Sequence, residues 1–234
     1  LINAATEAGW PETEDAQDLK SLGFQRNLRY INEEGKRQDA AHAYIHPRLR
    51  DGAHPNLHVL TEHHVLRVLI DGDVASGVEL QASSGLATSN STVHTITAKK
   101  TVIVSSGTLG TPLILERSGI GAADVLKDAG VPLVVDLPGV GENFMDHNLV
   151  LVPYYSTLAT NETYDTLLSG EERFEGLMIK NASILAFNGA EVTSKVRPSD
   201  EEAAAMGPAF LEAWDRDFRN RPNRPLASIN SASG

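Results

Sequence analysis

Two glycine-punctuated turns and a run of histidines are the stretches of this sequence whose residue types could do chemistry. The first turn lies in SSGTLGTPLILERSGIG, from Ser105 to Gly121. Its Ser105, Ser106 and Gly107 are small enough to let a ligand approach the backbone, and Thr111-Pro112 forms a good N-cap and first-turn pair for a helix. A helix start beyond the carboxyl end of a strand is a natural seat for a diphosphate, because free N–H groups and the helix dipole both favour an anion there. Spacing alone also allows a plain tight strand-to-helix turn with no ligand.

The second turn, LPGVGENFMDH, places Gly139 and Gly141 after an apolar strand and so imitates the start of a dinucleotide fingerprint. The third glycine position is Phe144, and the HNLVLVPYY that follows reads as a strand, so no helix start is offered to a pyrophosphate. Asp146 and His147 could supply a carboxylate and an imidazole for proton transfer. Neighbours in extended chain point to opposite sides, which favours one packing inward and the other capping the loop.

His42 and His46 stand four apart on a helix candidate, followed by His54, His58, His63 and His64. That pattern invites a metal-binding module, but the pair lacks the intervening Glu of HExxH, and ordinary hydrogen-bonded histidines are the expectation, with no metal. The sequence has no cysteine, which removes thiol catalysis, disulfides and cysteine-ligated metals together. It also has no Gly-x-Ser-x-Gly elbow to anchor a hydrolase triad.

The elements that must position these residues read as a mixed α/β, or α+β, chain. Residues 39–46 form a helix candidate ending at Pro47. Residues 56–60 and 65–70 alternate as strands, Asp71-Gly-Asp makes a turn, and 74–80 returns as a hairpin partner, giving a β-meander. A polar loop at 81–92 is followed by strand candidates at 93–98 and 101–105, the helix starting at Thr111, a helix at 122–129 and a strand at 131–135. Beyond Asp146 come a strand candidate at 149–154, an amphipathic helix at 170–180, and a charged helix from Ser199, its N-cap, toward Phe218. Residues 228–234 carry no evident closing element. The change of texture near residue 150 suggests two domain portions, 1–150 and 151–234.

With 41% hydrophobic and 22% charged residues in 234, the chain has ordinary globular composition. A net charge of -11 argues against nucleic acid and anionic membrane surfaces as partners. No apolar run is long enough for a membrane span. Acceptor triplets at Asn90, Asn161 and Asn181 are a weak signal of secretion.

Together these stretches resemble the glucose-methanol-choline (GMC) family of FAD-dependent oxidoreductases. GTLGTPLILERSGIG fits the family's second signature position for position, and DAAHAYIHP, NLHVLTEHHVLRVL, ASGVEL and DLPGVGENFMDH follow in family order. His42, where most members carry Arg, and SKVRPSDEE look like the fungal short-chain alcohol oxidase subgroup. The resemblance is weakest between Ser156 and Lys180.

The resemblance implies the central part of a GMC-type FAD-binding fold, with the meander and part of a substrate-binding domain. It implies FAD as cofactor, with the backbone at Val65 meeting the adenine and Ser106-Gly107 lying beside the adenosine and diphosphate. It places Asp146 and His147 at the end of a loop that passes close to the flavin. The reaction implied is oxidation of a primary alcohol to an aldehyde by hydride transfer to the flavin, with O2 as acceptor and H2O2 as product. The family's GxGxxG unit and catalytic His are expected outside this chain, which reads as an internal fragment. No catalytic residue is therefore assigned within it, and the isolated fragment is expected to be inactive. A dehydrogenase using another acceptor and a non-catalytic flavin-fold relic stand as alternatives. The implied compartment is the peroxisome, with secretion as the alternative, and a homo-oligomer is compatible with the resemblance.

Overall fold

The computed structural model describes residues 2–18, 21–83, 92–155, 157–159, 162–180, 182–187 and 189–232. Most of the expected polar loop, at 84–91, lies outside the described residues, as do Asn90, Asn161 and Asn181 of the acceptor triplets. The chain opens with α1 (Ile2–Glu7) and β1 (Gly23–Arg26), and a π-helical turn, Ala41–Ile45, runs into α2 (His46–Arg50). Next come β2 (His63–Asp71), β3 (Val74–Ala82), β4 (His94–Thr97), α3 (Gly107–Arg117), β5 (Ile120–Gly121), α4 (Ala123–Asp128) and β6 (Val135–Asp136). The last part holds α5 (Asp165–Leu168), α6 (Phe174–Ile179), β7 (Ala190–Lys195), α7 (Asp200–Ala205), α8 (Pro208–Asp217) and β8 (Asn230–Ala232). The mixed helix-and-sheet class is as expected, with antiparallel pairing dominant. No helix among the described residues is long and apolar enough to cross a membrane. Two compact units emerge, Pro55–Pro153 and the combination of Leu1–His54 with Tyr154–Gly234.

In the first unit, β2, β3 and β4 form the expected antiparallel meander, with β2 at the edge. The hairpin closes where Asp71 pairs with Val74, because the intervening Gly72 and Asp73 form a turn between two alternating runs. Val68 and Leu80 are its buried apolar residues. On the exposed side Arg67 grips Glu79 with two hydrogen bonds, 2.6 and 2.9 Å, across a bulge in the ladder. That guanidinium, mainly by hydrogen bonding, holds the Glu79 carboxyl below its usual range. Helix α3 packs on β2 and buries Ile114, and α4 buries Leu126 while crossing from β5 to the parallel β6.

Several local expectations give way here. Residues 56–60 and 101–105 pair with no strand among the described residues, and neither do 149–154, although all three are apolar enough to be strands. Alternation creates a face that could be buried, but a strand exists only where a partner satisfies its N–H and C=O groups. The strand expected at 131–135 is reduced to Val135–Asp136.

In the second unit β1 pairs antiparallel with β7, and β7 with β8. Strand β8 is the closing element that residues 228–234 did not advertise. Its approach is held by side chains: Ser194 Oγ donates to the Ile229 carbonyl at 2.9 Å, and Ser228 Oγ to the Ser194 carbonyl at 2.6 Å. The helix expected to stop at Pro47 instead continues through it to Arg50, with Pro47 in the first turn of α2, where a missing N–H is tolerated. The amphipathic helix expected at 170–180 appears as α6.

The charged helix from Ser199 is real at its start and broken in the middle. Ser199 Oγ accepts from the Glu202 N–H at 3.1 Å, and the Glu202 carboxylate accepts from the Ser199 N–H at 2.7 Å, a complete capping box. Gly207-Pro208 then ends α7 and starts α8, because Pro208 cannot donate to a preceding turn. Ser199→Ala is expected to lower stability by about 1 kcal/mol in thermal denaturation, and Ser199→Asp to retain most of it. An S199A protein as stable as the parent would show that the cap contributes nothing.

Candidate functional site

The start of α3 presents open backbone in the first unit. Gly107 has φ +79°, and nothing lies within 4 Å of where a Cβ would stand. Ser106 and Gly107 are both exposed, no side chain caps the helix, and no acidic residue occupies its first turn. The first-turn N–H groups beyond Ser106 and the positive end of the dipole therefore meet no capping side chain or acidic residue, which suits a phosphate or another anion.

Thr111 was expected to begin this helix, but α3 begins a full turn earlier. Gly107 adopts the left-handed conformation that lets the chain enter the helix there, and Thr111 sits inside with its Oγ1 accepting from the Ser106 N–H at 3.0 Å. Pro112 then lies within α3 and removes one rung of its ladder. The Thr-Pro pair thus braces the turn from within the helix.

Val65 lies on edge strand β2, half-buried, paired with Leu80 beside a register shift that separates it from Arg67. What joins this strand to α3 is Ser118, the residue that caps the C-terminal end of the helix. The Ser118 hydroxyl donates to the Ile114 carbonyl at 2.6 Å and accepts from the Val68 N–H at 2.8 Å, both buried. In sequence Ser118-Gly119 looks like no more than the stop of this helix. A serine in a last turn signals a bond to its own helix, but Val68, fifty positions away, leaves no local trace.

The second glycine turn lies alongside α3, since a Cβ on Gly141 would stand 3.5 Å from Glu116 Oε1 and 3.8 Å from Pro112 Cβ. Asp146 and His147 follow it in an exposed, irregular stretch. Asp146 Oδ1 accepts from the His147 N–H at 2.7 Å, a loop cap of the kind expected, but neither side chain packs inward as the alternation suggested, because the stretch pairs with no strand among the described residues and leaves both exposed. Among the described residues no hydrogen bond ties either residue to Val65, Ser106 or Gly107.

The histidines find local partners. His42 Nδ1 meets Asp39 Oδ1 at 2.7 Å, His54 pairs with Asp51, and His63 Nδ1 meets the Thr61 carbonyl at 2.6 Å. The His42 backbone N–H and ring together lower the Asp39 pKa to about 2. The His42 and His46 rings stack, 5.0 Å between centroids. No group of three or more ligating side chains is placed to hold a metal among the described residues.

Residues 1–149 match the family model described as GMC oxidoreductase. The chain is 37% identical to "Alcohol oxidase" of Candida boidinii and 35% identical to "Alcohol oxidase" of Pichia angusta, in each case over all of this chain and 36% of the relative. It spans about a third of the length of these curated relatives. Among solved structures, an FAD-dependent oxidoreductase from Chaetomium thermophilum superposes with a TM-score of 0.75 at 25% identity, covering 100% of this chain and 44% of that one.

Proposed function

This chain belongs to the GMC oxidoreductase family, and from that membership we propose that the whole protein is an FAD-dependent alcohol oxidase, converting a primary alcohol to an aldehyde with O2 as acceptor. The observation that carries this reading is the similarity to alcohol oxidases along the full length of this chain. Bound flavin supplies the hydride acceptor, and its reoxidation by O2 yields H2O2. A peroxisomal location accords with a reaction that releases peroxide.

Within that reading this chain frames the cofactor. The uncapped start of α3, with open space above Gly107, fits the adenosine-diphosphate half of FAD, and the open edge of β2 at Val65 lies in the same unit. Asp146 and His147 are the residues we place nearest the flavin side of the frame. We place residues 1–150 in the FAD-binding domain and 151–234 in the substrate-binding domain, a division supported by the family match ending at 149, while the pairing of β1 with β7 draws residues 1–54 into one compact unit with 154–234.

The test is purification of the complete protein. It is expected to carry flavin and to release peroxide when given a short primary alcohol. Absence of flavin would overturn the reading, and alcohol oxidation that reduces a quinone without peroxide would make the protein a dehydrogenase. Gly107→Ala is expected to weaken FAD binding on the order of tenfold, because its Cβ would enter the space that the cofactor approaches. Unchanged FAD affinity in G107A would remove Gly107 from the frame.

A further inference from the structure

The cofactor frame is divided between two elements far apart in sequence. Val65 lies on β2, whereas Ser106 and Gly107 lie at the start of α3. Strand β2 is an edge, so alternate N–H groups point away from β3 with no ladder partner. One of these, on Val68, is buried and is met by the Ser118 hydroxyl at 2.8 Å. The same hydroxyl spends its proton on the Ile114 carbonyl at 2.6 Å, which orients its lone pairs toward Val68. Among the described residues this is the only hydrogen bond between β2 and α3 with its caps.

We infer that Ser118 is a positioning residue for the cofactor: it pins the C-terminal end of α3 to β2 and thereby sets where the N-terminal end, with Ser106 and Gly107, stands relative to Val65. This rests on the FAD reading above. The geometry is that of a lever. Ser118 and Gly107 are separated by roughly 16 Å of helix at 1.5 Å per residue, so a tilt of about four degrees at the pinned end moves Gly107 by about 1 Å. Hydrogen bonds to a diphosphate tolerate only a few tenths of an ångström. Packing of Ile114 limits separation of the helix from the strand, but an apolar contact is non-directional and leaves tilt and slide open. The bond at Ser118 is directional, and the adjoining Gly119 turn fixes the chain that leaves it.

The experiment uses the complete protein, stripped of flavin, with FAD binding followed by the change in flavin fluorescence. Ser118→Ala is expected to weaken FAD binding on the order of tenfold and to speed hydrogen exchange at the Val68 amide, and Ser118→Thr, which keeps the hydroxyl, to restore both. Leu126→Ala is the control. It truncates a side chain that is 1% exposed in the same unit, away from the tie, and is expected to lower the melting temperature while FAD affinity holds. Equal FAD affinity in S118A and parent would overturn the proposal alone, and so would an L126A loss as large as that of S118A. A parent protein that binds no FAD would overturn the flavin reading and this proposal with it. Should S118A not fold, Ser118→Cys, of similar size and a weaker acceptor, is read in the same way.

Discussion

Trp214→Ala is expected to destabilise the unit that contains it by about 3–5 kcal/mol, the range for emptying a buried aromatic site. Trp214 is 2% exposed on α8, and its ring is stacked with Phe218 at 5.7 Å and Phe210 at 6.5 Å. The Arg197 guanidinium lies 4.2 Å from its centroid, and Nε1–H donates to Asp200 Oδ1 at 2.8 Å. Asp200 also pairs with Arg219 at 2.8 Å, so the indole joins the start of α7 to the chain beyond α8. Truncation leaves a cavity, strips the apolar face from a cation that donates to the Phe218 and Arg224 carbonyls, and unbinds one oxygen of Asp200. Trp214→Phe keeps the stacking and loses the Nε1 bond, and is expected to cost about 1 kcal/mol. Hydrogen exchange across α7 and α8 in the complete protein, together with denaturant unfolding, reads both variants. A W214A loss below about 1 kcal/mol would show that the aromatic row is not the core of this unit.

Gly119→Ala is the second large effect, about 3 kcal/mol or more, and it arises from backbone alone. Gly119 has φ +84°, where a side chain is strained, and its Cβ would stand 2.6 Å from the Pro132 carbonyl oxygen and 2.7 Å from Val134 Cγ2. The residue cannot simply retreat. Its carbonyl accepts from the N–H groups of Val134 and Val135, and these bonds bring the β6 segment beside β5. Gly107→Ala provides the comparison, because Gly107 shares the positive φ but has open space around the added carbon. It is expected to cost only about 1 kcal/mol, the conformational part by itself. The difference between the two, measured by unfolding of the complete protein, isolates the packing cost, and equal losses would show that the turn at Gly119 yields freely.

Legibility in the sequence followed the range of the interactions. The hairpin of β2 and β3 was readable because Asp71-Gly-Asp and the alternating runs beside it are neighbours along the chain. So was the cap at Ser199, whose partner stands three residues away. The strands expected at 56–60, 101–105 and 149–154 failed on the opposite ground, since a strand needs a partner that its own residues do not name. For the same reason nothing in residues 228–234 announced β8, whose pairing rests on β7 more than thirty residues earlier.

Within the candidate site, residue types alone point to the family, through a motif match that needs no geometry, and to the two glycine turns, which few other residues could form. Where α3 begins turns on two local devices that compete. Thr111-Pro112 is a good local start, yet the left-handed Gly107 and the reach of Thr111 back to Ser106 move entry a turn earlier. The role of Ser118, by contrast, exists only once the chain is folded. A serine hydroxyl can satisfy any unpaired N–H within reach, and which one it meets depends on the edge of a sheet folding against the end of a helix fifty residues away.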